Sequence, residues 1–387
     1  TDNFTNWFYL AREWGFLLVV LAPMVYLVDQ VWDGAIPWTW LIPALLVANL
    51  CVGAGQHRLA TLTHEAAHYM LFRDRLLNDF VSECFCMFPI LGTTHSYRVQ
   101  HLGHHQYPND EHKDPDWAQL RLSGHKFEFP MTKAQFLWNC VVKQILWPPL
   151  LIRYVLVRAF FKVDRDDGTP YRMIRRASRR MLRIAALYHL VLIGTLTAAV
   201  MNGSMAWVFA GAALCLFAIQ LLYANLPDTW FAQYFIKPDL PVRATARLRL
   251  CFNTFVATAL AAVTLATGRP YWVHFLVLWI LPIGTSFAFF MILRQFVQHG
   301  NADTARFTNT RVFFVNELIR LAVFPIGNDY HLPHHLFQLV PHYNLRALYE
   351  YLSTIDEYKA QAIEAHGYFV PPTLPQTHPT VLDLMTH

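Results

Sequence analysis

The sequence predicts an all-α integral membrane protein with about six transmembrane helices in three hairpins and a cytoplasmic helical cap rich in histidine. Three observations support this prediction: an apolar composition, six long apolar runs and the polar sequence between them. A chain of 387 residues ordinarily suggests two or three soluble domains, but this one is 55% hydrophobic and only 15% charged. Such values indicate membrane insertion, so we expect a single membrane domain over residues 1–387.

Six apolar runs are long enough for a bilayer, which needs about 20 residues per helix. They are paired by three very short links at 33–35, 202–204 and 268–270, which favours three helical hairpins and places the remaining polar sequence on one side. The runs are 14–32, 36–56, 182–201, 205–225, 250–267 and 271–293.

The distribution of basic residues predicts which side this is. Of the 31 lysines and arginines, only Arg269 falls within the three short links. Cytoplasmic loops carry the excess of Lys and Arg, so we assign segments 57–180 and 294–351 to the cytoplasm. The N-terminus has no basic n-region or small-residue cleavage site, and we expect the first run to stay in the mature protein.

Four further features are accessory to this scheme. The six cysteines mostly sit in or beside apolar runs and predict no disulfide framework. The stretch 136–161, which is interrupted at Trp147-Pro148-Pro149, is predicted to form helix at the membrane surface. The arginine-rich run 172–183 suits an anionic lipid surface rather than nucleic acid. The proline-rich tail 369–387 is expected to be extended.

Eight histidines form three boxes with helical spacing. At i,i+4 or i,i+3,i+4, several imidazoles of one box can point at the same metal. Neutral imidazole suits iron, copper, zinc and nickel, and eight ligands are too many for one ion, so two metals are implied. The boxes are HEAAH with His64 and His68, HLGHH with His101, His104 and His105, and HLPHH with His331, His334 and His335.

Two simpler interpretations compete with a reactive dimetal site. The nineteen histidines include many that alone would be packing or pH-sensitive residues, but eight in three boxes argue against this for the group. A structural zinc site usually has four ligands, often thiolates, and fits less well.

The boxes resemble those of the membrane fatty acid desaturase superfamily, whose members are integral-membrane di-iron enzymes such as desaturases, lipid hydroxylases and carotenoid oxygenases. HEAAH follows the second run, HLGHH comes about thirty residues later, and NDYHLPHHLFQLVPHYNL follows the last run. The resemblance covers residues 36–351 and implies that the eight histidines bind two irons. It also implies His299, in RQFVQHG, as a ninth ligand and Gln295 as a metal contact through water.

The same resemblance implies the reaction. It is the O2-dependent oxidation of an unactivated C–H bond in a fatty acid or acyl lipid, above all desaturation, with hydroxylation or oxidative decarboxylation to a terminal alkene as alternatives. The first box has three intervening residues, whereas the acyl-CoA type of desaturase usually has four, so the match favours acyl-lipid desaturases, hydroxylases and related bacterial enzymes. No flavin, haem or iron–sulfur motif is recognisable, so electrons are expected from a ferredoxin, rubredoxin or cytochrome b5 type donor. Outside enzymes, the alternatives are a metal transporter and a receptor with a structural metal.

Carboxylates near the boxes are candidates for supporting the ligands, because ligating imidazoles usually donate their other N–H to a carboxylate or carbonyl. Asp329, two residues before His331, is favoured, together with Glu65. The other candidates, which are equally expected to be loop acids or helix caps, are Asp110, Asp114 and Asp116. Arg98, Arg311 and Asn328 are expected either to tie the cap together or to meet a polar end of the substrate. Tyr97, Trp117 and Trp230 are candidates for lining a substrate channel, although such aromatic residues are more often interfacial anchors.

Overall fold

The computed structural model describes residues 1–125, 127–160 and 169–387 of a mostly helical chain. Within them, six helices are long and apolar enough to cross a membrane. Five contain a predicted run in full, and the second begins at Trp38, two residues after the start of the run 36–56. The six helices are Thr5–Trp32, Trp38–Ala67, Arg179–Met201, Met205–Asn225, Val242–Thr267 and Tyr271–His299.

The described residues form helices α1 to α18 in chain order: α1 (Thr5–Trp32), α2 (Leu41–Ala67), α3 (Arg75–Ser82), α4 (Thr94–Gln106), α5 (Pro115–Ser123), α6 (Lys133–Phe136), α7 (Lys143–Leu146), α8 (Pro148–Phe160), α9 (Arg179–Met201), α10 (Met205–Asn225), α11 (Val242–Thr267), α12 (Tyr271–Phe275), α13 (Ala288–His299), α14 (Glu317–Ala322), α15 (His331–Leu336), α16 (Leu345–Leu352), α17 (Asp356–Gln361) and α18 (Val381–Met385). Segments with π-helical hydrogen bonds at Leu276–Ile280 and Ile283–Phe287 help to connect α12 to α13.

Four short strands modify the all-α prediction. β1 (Met173–Arg175) pairs antiparallel with β2 (Gln233–Tyr234), and β3 (Arg311–Phe314) pairs parallel with β4 (Ile363–His366). Neither two-stranded sheet closes on itself. The periodicity of such short strands is too brief to be read from sequence.

Two spanning helices run well past the predicted apolar runs. The apolar run that ends at Gln56 lies in a helix that continues to Ala67, which the lack of proline and glycine after Gln56 allows, and the final helix continues to His299. Both extensions carry histidines of interest. They are largely buried in the protein, so the end of the apolar run does not mark the end of the helix.

Helix α2 lies between α1 and the last spanning helix, and two glycines permit the close approach. A Cβ atom at Gly55 would lie 2.5 Å from Leu17 of α1, and one at Gly53 would lie 2.6 Å from the main-chain nitrogen of Phe287. Ser286 donates a 2.6 Å hydrogen bond to the carbonyl of Asn49 at the same contact. Small residues are the usual means by which membrane helices approach this closely.

The link after α1 lies beside the link before α12. Arg269 pairs with Asp29 at 2.9 Å and with Asp33 at 2.7 Å, so the only basic residue of the short links is neutralised by acids at the end of α1. At the opposite end of α1, the hydroxyl of Thr1 donates to the carbonyl of Met70, just after α2. Helices α1 and α2 are therefore antiparallel.

Helices α9, α10 and α11 form a second hydrophobic core that is separate from the core around α2. Tyr188 and Thr254 share a buried hydrogen bond between α9 and α11. His189 contacts the carbonyl of Ala185 at 2.7 Å and the amide of Asn253 at 3.0 Å. The His189 side chain therefore serves in packing hydrogen bonds.

The predicted interfacial stretch 136–161 is helical as far as it is described. It is part of a helix pair, Lys133–Leu146 and Pro148–Ala159, bent by 88° at Trp147. The two prolines after Trp147 explain the bend, because the residue before a proline is disfavoured in α-helical conformation. This pair is apolar enough to count as a broken seventh span, while residue 161 lies outside the described chain.

Candidate metal centre

Nine buried or nearly buried histidines converge in two adjoining groups at the ends of the extended helices. Within each group all ligand nitrogens lie within 4.8 Å of one another. The rings of His105 and His335, one from each group, are centred 4.2 Å apart. The five-histidine group is His64, His68, His101, His105 and His334, and the four-histidine group is His104, His299, His331 and His335.

Each three-histidine box is divided between the two groups, with two of its histidines in one group and the third in the other. In HLGHH, His101 and His105 join the five-histidine group and His104 joins the other; in HLPHH, His331 and His335 stay together and His334 leaves. The reason is helical geometry. At about 100° per residue, i and i+4 are separated by about 40°, whereas i+3 points about 100° away from i+4.

The distances between ring nitrogens test whether the groups fit metal ions. His101 Nε2 lies 2.9 Å from His68 Nε2 and 3.0 Å from His105 Nε2. In the other group His299 Nε2 lies 3.0 Å from the Nε2 atoms of His104 and His331. Nitrogens bound about 2.1 Å from one ion lie about 3.0 Å apart at neighbouring octahedral positions, and about 3.4 Å apart in a tetrahedron.

The spacings therefore match five- or six-coordinate ions better than tetrahedral zinc. Buried Nε2 atoms of His64 and His335 have no hydrogen-bond partner among the described residues, which is costly unless a metal is bound to them. The residues present thus fit two metal ions.

Several ligands are oriented through their second nitrogen. His104 Nδ1 lies 3.0 Å from both carboxylate oxygens of Asp114, and His299 Nδ1 lies 3.0 Å from the carbonyl of Asn309. An Nδ1–H that donates to such a partner leaves Nε2 as the lone-pair atom that binds a metal. Asp114 also caps α5 by accepting from the main-chain N–H of Asp116.

The protonation states agree with this arrangement. Burial lowers the pKa of His101, His105 and His334 well below the ordinary value, which keeps these imidazoles neutral. At His104 burial also acts to lower the pKa, but the Asp114 carboxylate outweighs it and raises the pKa to about 9. In the metal-free protein the His104–Asp114 pair therefore holds a proton that a metal at Nε2 displaces.

Arg98 holds the end of α2 against α4. Its side chain, fully buried, donates to the carbonyls of Ala66 and Ala67 at 2.8 and 3.1 Å and pairs with Asp79. These are carbonyls at a helix end, which have no partner within the helix. The contact fixes His68, the next residue of the chain, relative to the box on α4.

Arg311 plays the same part at the end of α13. It is 1% exposed and donates to the carbonyls of Val297 and Gly300 at 3.1 and 2.7 Å, on either side of His299. Asn328 donates to Thr61 of α2 at 3.3 Å. Arg98, Arg311 and Asn328 thus join the segments that carry the histidines, which agrees with the first of the two roles expected for them.

The structure places Asp329 differently from the expectation that it supports His331. Its side chain faces a separate cavity lined by Arg58, Arg320 and Arg346. His331 Nδ1 has no hydrogen-bond partner within the described residues. Burial raises the pKa of Asp329 to about 6. Proximity in sequence misled here because the chain turns between residues 329 and 331, and the observed carboxylate partner, Asp114, comes ten residues after its histidine.

Glu65 and Gln295 lie beside the histidines. Glu65 Oε1 is 3.4 Å from His64 Nδ1, and its Oε2 accepts from the main-chain N–H of His342 at 2.8 Å. The carboxamide oxygen of Gln295 is engaged by Tyr154 and by Arg158. Ligation by Gln295 stays a prediction.

A small cavity of about 30 Å³ reaches five of the histidines: His64, His101, His104, His299 and His331. Tyr97 lines this cavity, as expected for a channel residue, and Trp117 lines a neighbouring one with His104 and His299. Trp230 instead packs with the α9–α11 core and lies under Arg180. Asp110 accepts from main-chain N–H groups of its own loop.

Comparison with known proteins shows which family this chain resembles. The family model described as "Fatty acid desaturase" matches residues 37–255 and 215–365, which together make up most of the chain.

Three curated proteins show partial similarity. Dihydrorhizobitoxine desaturase of Bradyrhizobium elkanii is 25% identical over 174 residues, covering 43% of this chain and 44% of that protein. Sphingolipid delta(4)-desaturase DES1 of Drosophila melanogaster is 35% identical over 107 residues, covering 27% and 31%. The sn-1 oleoyl-lipid 12-desaturase of Anabaena variabilis is 31% identical over 106 residues, 27% of each chain. The chain thus spans less than half the length of each relative.

Proposed function

The chain belongs to the fatty acid desaturase family, and we propose that it uses O2 and a di-iron centre to oxidise an unactivated C–H bond of a fatty acid or acyl lipid, above all by desaturation. The membrane setting, with six helices that could span a bilayer, and desaturase relatives support an oxidoreductase acting on a lipid. The ions, the donor and the product are parts of the proposal.

One observation carries it: nine histidines form groups of five and four, in which the ligand nitrogens lie within 4.8 Å of one another and four pairs of Nε2 atoms lie 2.9–3.0 Å apart. In this proposal the five-histidine and four-histidine groups each bind one iron, and Gln295 contacts a metal through water. When bound, iron supplies the activation of O2 and the removal of hydrogen from carbon.

The other residues bind, orient and exclude water. Asp114 and Glu65 hold His104 and His64 in place, and Arg98 fixes the two helices that carry the first two boxes. Asp329 faces a separate cavity and has no role in this proposal. Its replacement tests whether it supports a metal ligand. The small enclosed cavity limits the water that reaches the metals, which favours reaction with the lipid.

The proposed topology has three membrane hairpins with the histidine groups on the cytoplasmic side, in one domain over residues 1–387. The ion pairs that join Arg269 to Asp29 and Asp33 support it, because they bring the first and third short links together at the end away from the histidines. Electrons come from a separate ferredoxin, rubredoxin or cytochrome b5 type protein, and the net charge of +5 suits an acidic donor.

The decisive experiment supplies the purified, iron-loaded protein with O2, a donor system and a panel of fatty acids and acyl lipids. Mass spectrometry then distinguishes loss of two hydrogens, gain of oxygen and loss of carbon dioxide. We expect the loss of two hydrogens. Metal flux into proteoliposomes without any oxidised lipid would support a transporter instead, although the histidines lie at helix ends and in the cap rather than along a path through the spans.

A further inference from the structure

Arg294 is a buried cation without an ion-pair partner among the described residues. It lies on α13 five residues before His299, and only 9% of its surface is exposed. Its Nε atom makes no hydrogen bond, and no carboxylate within the described residues forms an ion pair with it. Burying an unpaired guanidinium is costly, and buried charges in proteins are normally paired with an opposite charge.

Arg158 adds a second guanidinium to the same place. It donates to the oxygen of Gln295 at 3.3 Å and lies 4.0 Å from the carboxylate of Asp116. The negative charge of Asp116 therefore acts on both arginines, Arg158 and Arg294. The neighbouring Tyr97 and Tyr154 are neutral phenols. One positive charge therefore remains uncompensated.

The two arginines stand at the junction of two cavities. One is the small cavity that reaches the histidines. The other has a volume of about 140 Å³, and its walls are largely apolar, with Met87, Ile90, Leu91, Val155, Phe287 and Met291. Both cavities are lined by Tyr97, Gln100, Arg158 and Arg294. An apolar space therefore meets a positive charge beside the metal ligands.

A third arginine of the apolar cavity, Arg249, is already engaged. It donates to the carbonyl of Leu91 at 3.0 Å, and the carboxylate whose charge acts on it is Glu83. It does not line the cavity that reaches the histidines. The unsatisfied charge is thus at the end of the apolar cavity next to the metal ligands.

We propose that Arg294, with Arg158, binds the anionic oxygen group at the head of an amphipathic substrate, while its hydrocarbon chain occupies the apolar cavity. The planar guanidinium matches a carboxylate or phosphate through paired N–H donors. The carbons nearest the head group then face the histidine cavity. This inference rests on the proposed function and adds that oxidation occurs close to the acid end rather than in the middle of the chain.

The first test measures binding to the metal-free protein in detergent, so that it does not depend on turnover. Calorimetry compares dodecanoate, dodecyl phosphate and methyl dodecanoate. We expect at least one of the two anions to bind roughly tenfold or more tightly than the uncharged ester, since the ester leaves the buried charge unpaired. The anion that binds more tightly shows whether the head group belongs to a fatty acid or to a phosphate-bearing lipid. Equal binding of all three compounds would overturn the inference without any variant.

Variants then locate the anion. Arg294→Met should remove most of the preference for the acid over the ester, and Arg294→Lys should restore part of it because the positive charge returns. Arg249→Met is the matched comparison in the same cavity and should leave the acid-to-ester ratio unchanged. If Arg249→Met removes the preference and Arg294→Met does not, the head group binds at the other arginine and the inference is wrong.

Products separate this inference from the proposed function. With iron, a donor and dodecanoate, mass spectrometry should find the chemical change within the first few carbons of the acid. Change in the middle of the chain would leave the proposed function standing and reject the inference. An acid preference that depends on Arg294, without any oxidised product, would support the anion site and reject the proposed function.

Discussion

The guanidinium of Arg98 donates a 2.8 Å hydrogen bond to the carbonyl of Ala66, near the end of the spanning helix α2. Because Arg98 belongs to α4, one turn before the second histidine box, this contact joins the first two boxes through a side chain that binds no metal. Its charge is balanced by Asp79, which is also buried. The positions of the histidines in the first two boxes thus depend on the buried ion pair between Arg98 and Asp79.

Replacing Arg98 with Met should destabilise the protein severely. The change leaves the Asp79 carboxylate buried with the hydrogen bond from Asn78 but without its cation, and breaking a buried ion pair typically costs about 3–5 kcal/mol. Thermal unfolding in detergent measures the effect. Arg121→Met is the control, because Arg121 pairs with Glu111 at the surface and exposed pairs contribute about 0–1 kcal/mol. Equal losses of stability in the two variants would contradict the role given to Arg98.

Replacing Asp114 with Asn should weaken one metal site and spare the other. His104 would lose its anionic partner, and such changes typically lower metal affinity about 10–100-fold. Titration of metal-free protein with Fe²⁺ or Co²⁺ measures this. Asp329→Asn is the matched control, since the Asp329 carboxylate lies away from the histidines. A larger loss of affinity in Asp329→Asn than in Asp114→Asn would restore Asp329 as the supporting acid.

The division of the boxes predicts a pattern of metal loss. His104→Ala, in the four-histidine group, and His334→Ala, in the five-histidine group, should each lower the content from about two ions to about one per chain. The double variant should lose both, and all three should lose turnover. Metal analysis by mass spectrometry, together with product formation, checks this. Full activity in either single variant would mean that the ligands are assigned wrongly.

Replacing Gly53 with Ala should loosen the packing of α2 against the last spanning helix. The added methyl group would lie 2.6 Å from the main-chain nitrogen of Phe287, and overpacking of this kind typically costs about 1–3 kcal/mol. Gly15→Ala in α1 is the control, because nothing lies within 4 Å of a Cβ atom there. Thermal unfolding should show a loss for Gly53→Ala alone; an unchanged midpoint would show that the helices can separate without cost.

Much of the fold follows from local sequence. The apolar runs 14–32 and 271–293 are long enough to cross a bilayer. In lipid a single segment must hydrogen-bond its backbone N–H and C=O groups internally, so it forms a helix. The continuation of α2 to Ala67 also follows from the local sequence. The strands β3 and β4 do not, because they are four residues each and are separated by about fifty residues of chain.

For the site, the sequence by itself determined the residue types: histidines at helical spacing, including His299 at the end of the last spanning helix. Spacing is a local property, so it can report that these imidazoles suit metals. Only the tertiary structure decided that His104 joins His299, and that the carboxylate beside a ligand histidine is Asp114, next to His104, and not Asp329 next to His331. It also showed that Arg294 is buried without an ion-pair partner among the described residues. The physical reason is that coordination and charge pairing act through distances of a few ångströms between segments far apart in the chain.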